Sequence, residues 1–172
     1  MALKPTIEQI RELNMHAAYF NWGIQFVSLP SGLTGLTSAD LNTRAVSIDA
    51  PTRSIQEAEI AVRGHKVYQH GIVTYDTINL TLHETVDSKV TNFLESWMDM
   101  QWMPVTGLQV PKMLNQSVLL LSLLDSEDNV RMRYTMFGCW PTRVQHGGTY
   151  DATNNDTVKI QVTFRYDYYL HV

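Results

Sequence analysis

From Val158 to Tyr168 the chain alternates without interruption. Val158, Ile160, Val162, Phe164, Tyr166 and Tyr168 fall on one side; Lys159, Gln161, Thr163, Arg165 and Asp167 fall on the other. A period of two over this length is a β-strand with one face in a core and the other in water. The run exceeds the usual strand of about 5–6 residues. Long antiparallel strands with polar outer faces belong to sandwiches or to larger composite barrels.

The rest of the chain supplies partners for this strand. Ile78, Leu80 and Leu82 alternate with Asn79, Thr81 and His83, the pattern of a half-buried antiparallel strand. Val130, Met132, Tyr134 and Met136 alternate with Arg131, Arg133, Thr135 and Phe137 after an Asp128-Asn129 turn. Ser117 to Leu124 is almost continuously apolar, which predicts a strand covered on both faces. Trp22 to Leu29 and Leu41 to Ile48 read as two further strands, the second stopped by Asp49-Ala50-Pro51. Ala58, Ile60 and Val62 alternate with Glu59, Ala61 and Arg63. Gly64 predicts a bulge or bend after them, and Gly71 a turn.

Two segments read as helix. Thr6 and Gln9 have capping-box spacing ahead of Ile7, Ile10, Leu13 and Ala17. The stronger helix starts near Asp87, a predicted N-cap. Val90, Phe93, Leu94, Trp97 and Met98 form one broad apolar stripe before Pro104 and Gly107 end it. Such a helix covers an open face or edge of a sheet. The predicted class is mainly β with one packed helix.

A length of 172 residues fits one domain. The 44% hydrophobic content excludes intrinsic disorder. Charged residues make up only 17%, against roughly 25% in ordinary soluble domains, which suggests a surface partly covered by other copies of the chain. A formal net charge of -4 argues against a surface that grips nucleic acid through clustered Lys and Arg. No apolar run approaches a membrane span, and no secretory core follows Met1. A single Cys139 fits synthesis in a reducing compartment.

No residue pattern predicts catalysis, a cofactor or a metal. His65 and His70 are five apart across the predicted bend and lack zinc-site spacing. Cys139 and His146 admit a nucleophile reading, but a buried Cys is ordinarily a small hydrophobe. Glu57 and Glu59 share one strand face, a solvated or partner-facing edge. Asp125, Glu127 and Asp128 sit in a turn, where such residues are common. Trp22, Trp97, Trp102, Trp140 and the Tyr-rich end leave open a monomeric β-sandwich that binds a ligand on its aromatic residues.

The order of motifs points further. Gly138-Cys139-Trp140-Pro141-Thr142-Arg143-Val144 follows an alternating strand and precedes Tyr150-Asp151 and the Asn154-Asn155-Asp156 turn. The chain then runs to Phe164-Arg165-Tyr166-Asp167-Tyr168-Tyr169. This resembles the C-terminal signature of tail tube proteins from contractile-tailed bacteriophages. Ile78 to Leu82, Asp87, Phe93 and Trp97 resemble that family's strand-then-helix middle. Asn21-Trp22 and Asp49-Ala50-Pro51 resemble the bounds of its first two strands. The likeness covers about 21–172.

The resemblance implies a single tail tube domain over 1–172, with a helical segment at 1–20 and a β-sandwich at 21–172 carrying a helix at about 87–101. Inner sheets of six copies would join into one continuous barrel, a hexameric ring. Rings would stack into a hollow tube inside a contractile sheath, the channel for DNA delivery. Implied partners are other copies, the tail sheath protein, the baseplate hub, the tape measure and tail terminator proteins, and double-stranded DNA passing without sequence-specific binding. No membrane and no cofactor are implied. The place would be the virion tail, assembled in the bacterial host cytoplasm. Tubes of type VI secretion systems and contractile bacteriocins share the fold and stand as the near alternative. The segment after Pro51 would reach the neighbouring ring, with Arg53, Glu57 and Glu59 as inter-ring contact candidates. The net negative charge suggests a lumen that does not hold phosphates.

Overall fold

The computed structural model describes residues 21–148, 153 and 155–172, so the predicted helix near Thr6, the Tyr150-Asp151 pair and Asn154 lie outside the described residues. The spine of the fold is a 17-residue strand, β7 (Val130–His146). Its first half pairs with β6 (Ser117–Leu124) on one side and with β9 (Tyr168–His171). Its second half pairs with β8 (Lys159–Arg165). Beyond these lie β1 (Trp22–Ser28) on β6, β5 (Ile78–His83) on β8, and β2 (Ala45–Ile48) on β5, all antiparallel. The sheet order is thus β1-β6-β7-β8-β5-β2, folded about β7 into two sub-sheets, while β3 (Arg53–Val62) and β4 (His65–Tyr75) pair only with each other.

Gly138 makes the fold about β7 possible. It adopts φ +68, and a Cβ there would collide with the Asp167 carboxylate. Beyond it Trp140 and Pro141 stay in the strand, with the register shifting between Pro141 and Arg143. The long C-terminal alternation is likewise cut in two. Ile160, Val162, Phe164 and Tyr166 are buried as expected, but Val158, ahead of β8, is 40% exposed and Tyr168 44%. Asp167 causes the break, since its N–H is held by the Phe137 carbonyl and its carboxylate by Lys112. Beyond it Tyr168 stacks on Phe137 with ring centroids 4.9 Å apart.

Other expectations shift for local reasons. Leu41 to Arg44 is helical rather than extended, within α1 (Ser38–Arg44). Thr37 and Asp40 form a reciprocal capping box, and Leu41 is the residue α1 buries. In β6 only Ser117, Leu119 and Leu121 are buried, so one face is core and the other half-covered. Gly71 lies inside β4 at a register shift opposite Gln56, where a Cβ would sit 2.6 Å from the Gln56 carbonyl oxygen. It marks a bulge, not a turn.

The second helix, α2 (Lys89–Gln101), buries Val90, Phe93, Leu94 and Trp97 as its periodicity requires. Trp97 is the centre of the core. Its ring meets Phe26, Phe93 and Phe164 at 6.0, 6.0 and 5.6 Å, and its Nε1–H donates to the Asn115 carbonyl at 2.8 Å. Asn115 ends a short helical turn, α3 (Lys112–Asn115).

The N-terminus of α2 is held by Glu84 rather than by the predicted Asp87. Asp87 bonds Thr85 and Lys89, while Glu84 accepts the N–H groups of Val90 and Thr91 at 3.2 and 2.7 Å. Partial burial opposes ionisation of Glu84, but the Thr91 hydroxyl and the backbone donors outweigh it and hold its carboxyl below 4.5. A depressed folded-state pKa stabilises above the unfolded value, and that stability is lost as the pH falls through the folded value. Glu84→Gln is expected to cost about 1 kcal/mol at pH 7 and to flatten the loss of Tm below pH 4.5, which thermal melts from pH 7 to pH 3 would read.

Candidate assembly surface

The β3–β4 hairpin stands away from the core. Every residue of β3 is exposed, as are the first nine of β4. Its turn, Arg63-Gly64, has φ 47 and 84, the two positive values that a two-residue hairpin turn needs. Its root is tied down: the Tyr166 hydroxyl donates to the Thr52 carbonyl and accepts from the Thr52 N–H, both at 3.2 Å. Tyr75 packs on Tyr166 and Tyr169 at 6.0 and 5.8 Å. Burial raises the Tyr166 phenol, so it stays neutral and able to donate.

Alternation from the root puts the three predicted contact residues on one face. Arg53 lies opposite Tyr75, Glu57 opposite His70, and Glu59 opposite Tyr68. Glu59 is not free, because Lys66 pairs with it at 2.9 Å. The pattern reading overlooked how much apolar surface the hairpin shows: Tyr68 is 59% exposed and Ile72 70%, with Ile55, Val62 and Val67 near half. Val67, Ile72 and Val73 recur along β4 in the sequence, but their lack of a core partner shows only in the fold. A two-stranded hairpin is marginal by itself in water. Exposed apolar residues held on such a hairpin mark a binding surface.

Unpaired strand edges add to this. Among the described residues β2 pairs only with β5, and Trp140 to His146 pairs only with β8. Such edges offer open hydrogen-bonding groups to another chain.

The remaining candidates do not come together. His65 and His70 lie on opposite faces of β4, not across a bend, and no group of three metal-ligating side chains occurs among the described residues. Cys139 and His146 stand at opposite ends of the second half of β7, about 23 Å apart at strand rise, and His146 pairs with Glu95. Cys139 is buried, which pushes its thiol up to about 12, incompatible with a nucleophilic thiolate. Asp125 accepts the N–H groups of Glu127 and Asn129 and the Arg131 Nε–H at 2.8, 2.9 and 2.8 Å, a turn-closing role. A cavity of about 250 Å³ is lined by Gln101, Gln109, Val110, Lys112, Asn115 and Trp140. Trp140 is its one aromatic lining residue.

Comparison with known proteins agrees with this geometry. A family model described as phage tail tube protein matches residues 13–172. The sheath/tube terminator structure of the extracellular contractile injection system PVC, in its extended state, aligns with TM-score 0.70 at 15% identity, covering 93% of this chain and 99% of that one. The sheath-tube complex of the same system aligns with TM-score 0.61 at 16% identity, covering 98% and 99%. The anti-feeding prophage baseplate structure gives TM-score 0.64 at 14% identity, covering 93% and 97%. At these identities the likeness is one of fold. No curated protein sequence matches the chain.

Proposed function

The chain belongs to the phage tail tube protein family, and from that premise we propose that it is the repeating subunit of a hollow tube that delivers DNA within a contractile phage tail. Six copies form a ring, rings stack, and the tail sheath, baseplate hub, tape measure and tail terminator bind the resulting tube. The family and its fold neighbours are tube-associated structural proteins, not enzymes. The observation that carries the reading is the β3–β4 hairpin, exposed throughout β3 and rich in apolar residues, which needs a neighbouring copy to cover it. The unpaired edges of β2 and of Trp140 to His146 support a ring, because strand addition around a closed circle removes open edges. A tube of an extracellular contractile injection system is the second reading, favoured by the fold neighbours.

Arg53, Glu57 and Glu59 contact the next ring in this proposal. Arg53→Glu reverses one charge at the hairpin root, where Arg53 is exposed. It is expected to slow tube elongation about tenfold, the effect of losing about 1.4 kcal/mol at each contact, while the melting temperature stays within a degree or two. Light scattering during assembly and a thermal melt check the two halves. Elongation at the native rate would remove Arg53 from the contact.

A further inference from the structure

The cavity of about 250 Å³ beside the C-terminus of α2 is walled by the amides of Gln101, Gln109 and Asn115, with Val110, Lys112 and Trp140 completing it. Asn115 shapes it. The residue is 2% exposed, and its Nδ2 donates to the Met100 carbonyl at 3.0 Å and to the Val110 carbonyl at 3.4 Å. These bonds hold together the two ends of the loop that follows α2. The loop is closed within by a β-bridge between Trp102 and Gln109, and by the Met103 N–H donating to the Leu108 carbonyl at 3.0 Å. The same two bonds fix which way the Asn115 amide faces. Both N–H donors are used, and the oxygen, an acceptor, is left over.

Asn115 Oδ1 is buried without a hydrogen-bond partner, and so is Nε2 of Gln101. A buried polar atom left unpaired costs stability, and native chains keep few of them. The two side-chain atoms of this kind among the described residues, one acceptor and one donor, line the same cavity. A water fills only about 30 Å³ of liquid, whereas an engineered cavity of about 150 Å³ holds benzene. The space here takes a single ring with a short substituent. Trp140 offers that ring a flat surface for stacking. Lys112, the lining cation, is already paired with Asp167, so nothing in the wall calls for an anion.

We propose that this cavity binds a neutral aromatic carboxamide. The ligand's amide N–H donates to Asn115 Oδ1, its carbonyl accepts from Gln101 Nε2, and its ring lies against Trp140. A carboxylate would set an oxygen against Asn115 Oδ1. An Asn or Gln side chain offered by another copy would bring the amide without the ring. The site needs one folded chain and does not rest on the tube reading.

The test uses the full chain and saturation-transfer difference NMR, which reads weak ligands on single chains and on assemblies alike. The probes are benzamide, benzoate and acetophenone, in which a methyl replaces the amide nitrogen. Benzamide is expected to bind saturably with Kd of about 0.1–1 mM, a range suited to a ligand of about nine heavy atoms. Acetophenone lacks the N–H for Asn115 and benzoate opposes its oxygen, so each is expected to bind about tenfold more weakly. Gln101→Met keeps the reach of the side chain and removes the unpaired donor. It is expected to melt no lower than wild type and to weaken benzamide about tenfold. No saturable benzamide signal would overturn the proposal and leave the cavity to water. Acetophenone binding as tightly as benzamide would make it a plain apolar pocket, and tighter benzoate an anion site; either result overturns the carboxamide assignment. Unchanged benzamide affinity in a stable Gln101→Met chain would put the probe elsewhere and overturn the site. Failure of the chain to form tubes would touch the proposed function and none of these readings.

Discussion

A chain in which Ser54 to Thr74 is replaced by a four-glycine turn is expected to fold and to form no tubes. Arg53 and Tyr75 are paired across the hairpin root, so a short link closes the gap without moving either. The buried cluster contains no residue of the excised segment, and Tyr75, which packs against it, is retained. The removed segment carries the exposed apolar side chains Ile55, Ile60, Val62, Val67, Tyr68 and Ile72. If assembly covers only about 200 Å² of that surface, the loss is about 5 kcal/mol, more than three decades in the critical concentration. Melting curves should stay close to those of the full chain while sedimentation shows only monomer. Tubes of normal diameter from the shortened chain would show that the hairpin is dispensable.

The second large effect belongs to the core. Trp97→Ala removes the ring that joins α2 to both sub-sheets through Phe26 and Phe164, and it leaves the Asn115 carbonyl without its donor. Truncation of a buried aromatic costs about 3–5 kcal/mol, which lowers Tm by about 6–20 °C for a chain of this size. Trp97→Phe keeps most of the packing and loses the hydrogen bond, so about 1–2 kcal/mol is expected. Denaturant titration of the two variants separates the contributions. A Trp97→Ala chain as stable as wild type would mean that α2 is not held through this residue.

The elements legible in the sequence are those whose pattern and burial agree. In β5, β8 and α2 the apolar period alone selects the residues that are buried. Legibility fails where a single local interaction overrides the period. The capping box of Thr37 and Asp40 turns Leu41 to Arg44 into helix, although an Asp in place of the usual Glu or Gln weakened the signature. Asp167 breaks the terminal strand because it serves β7 and Lys112 at once, a long-range demand that alternation does not reveal. Glu84 displaces Asp87 as the cap through a loop geometry that spacing does not encode.

The candidate assembly surface was legible in a different sense. Position after Pro51 and family resemblance singled out Arg53, Glu57 and Glu59, and the structure sets them on one face of an exposed hairpin. The apolar residues between and opposite them were not recognised, because a period-two pattern looks the same whether its apolar side meets the chain's own core or another copy. Only the three-dimensional burial separates the two.

The most direct measurement is negative-stain electron microscopy of the purified, concentrated full chain, alone and with purified baseplates as nucleating seeds. The account predicts six-fold rings or smooth hollow tubes, lengthening from the seeds as protein is added. Monomers that persist at every concentration, seeded or not, would contradict it.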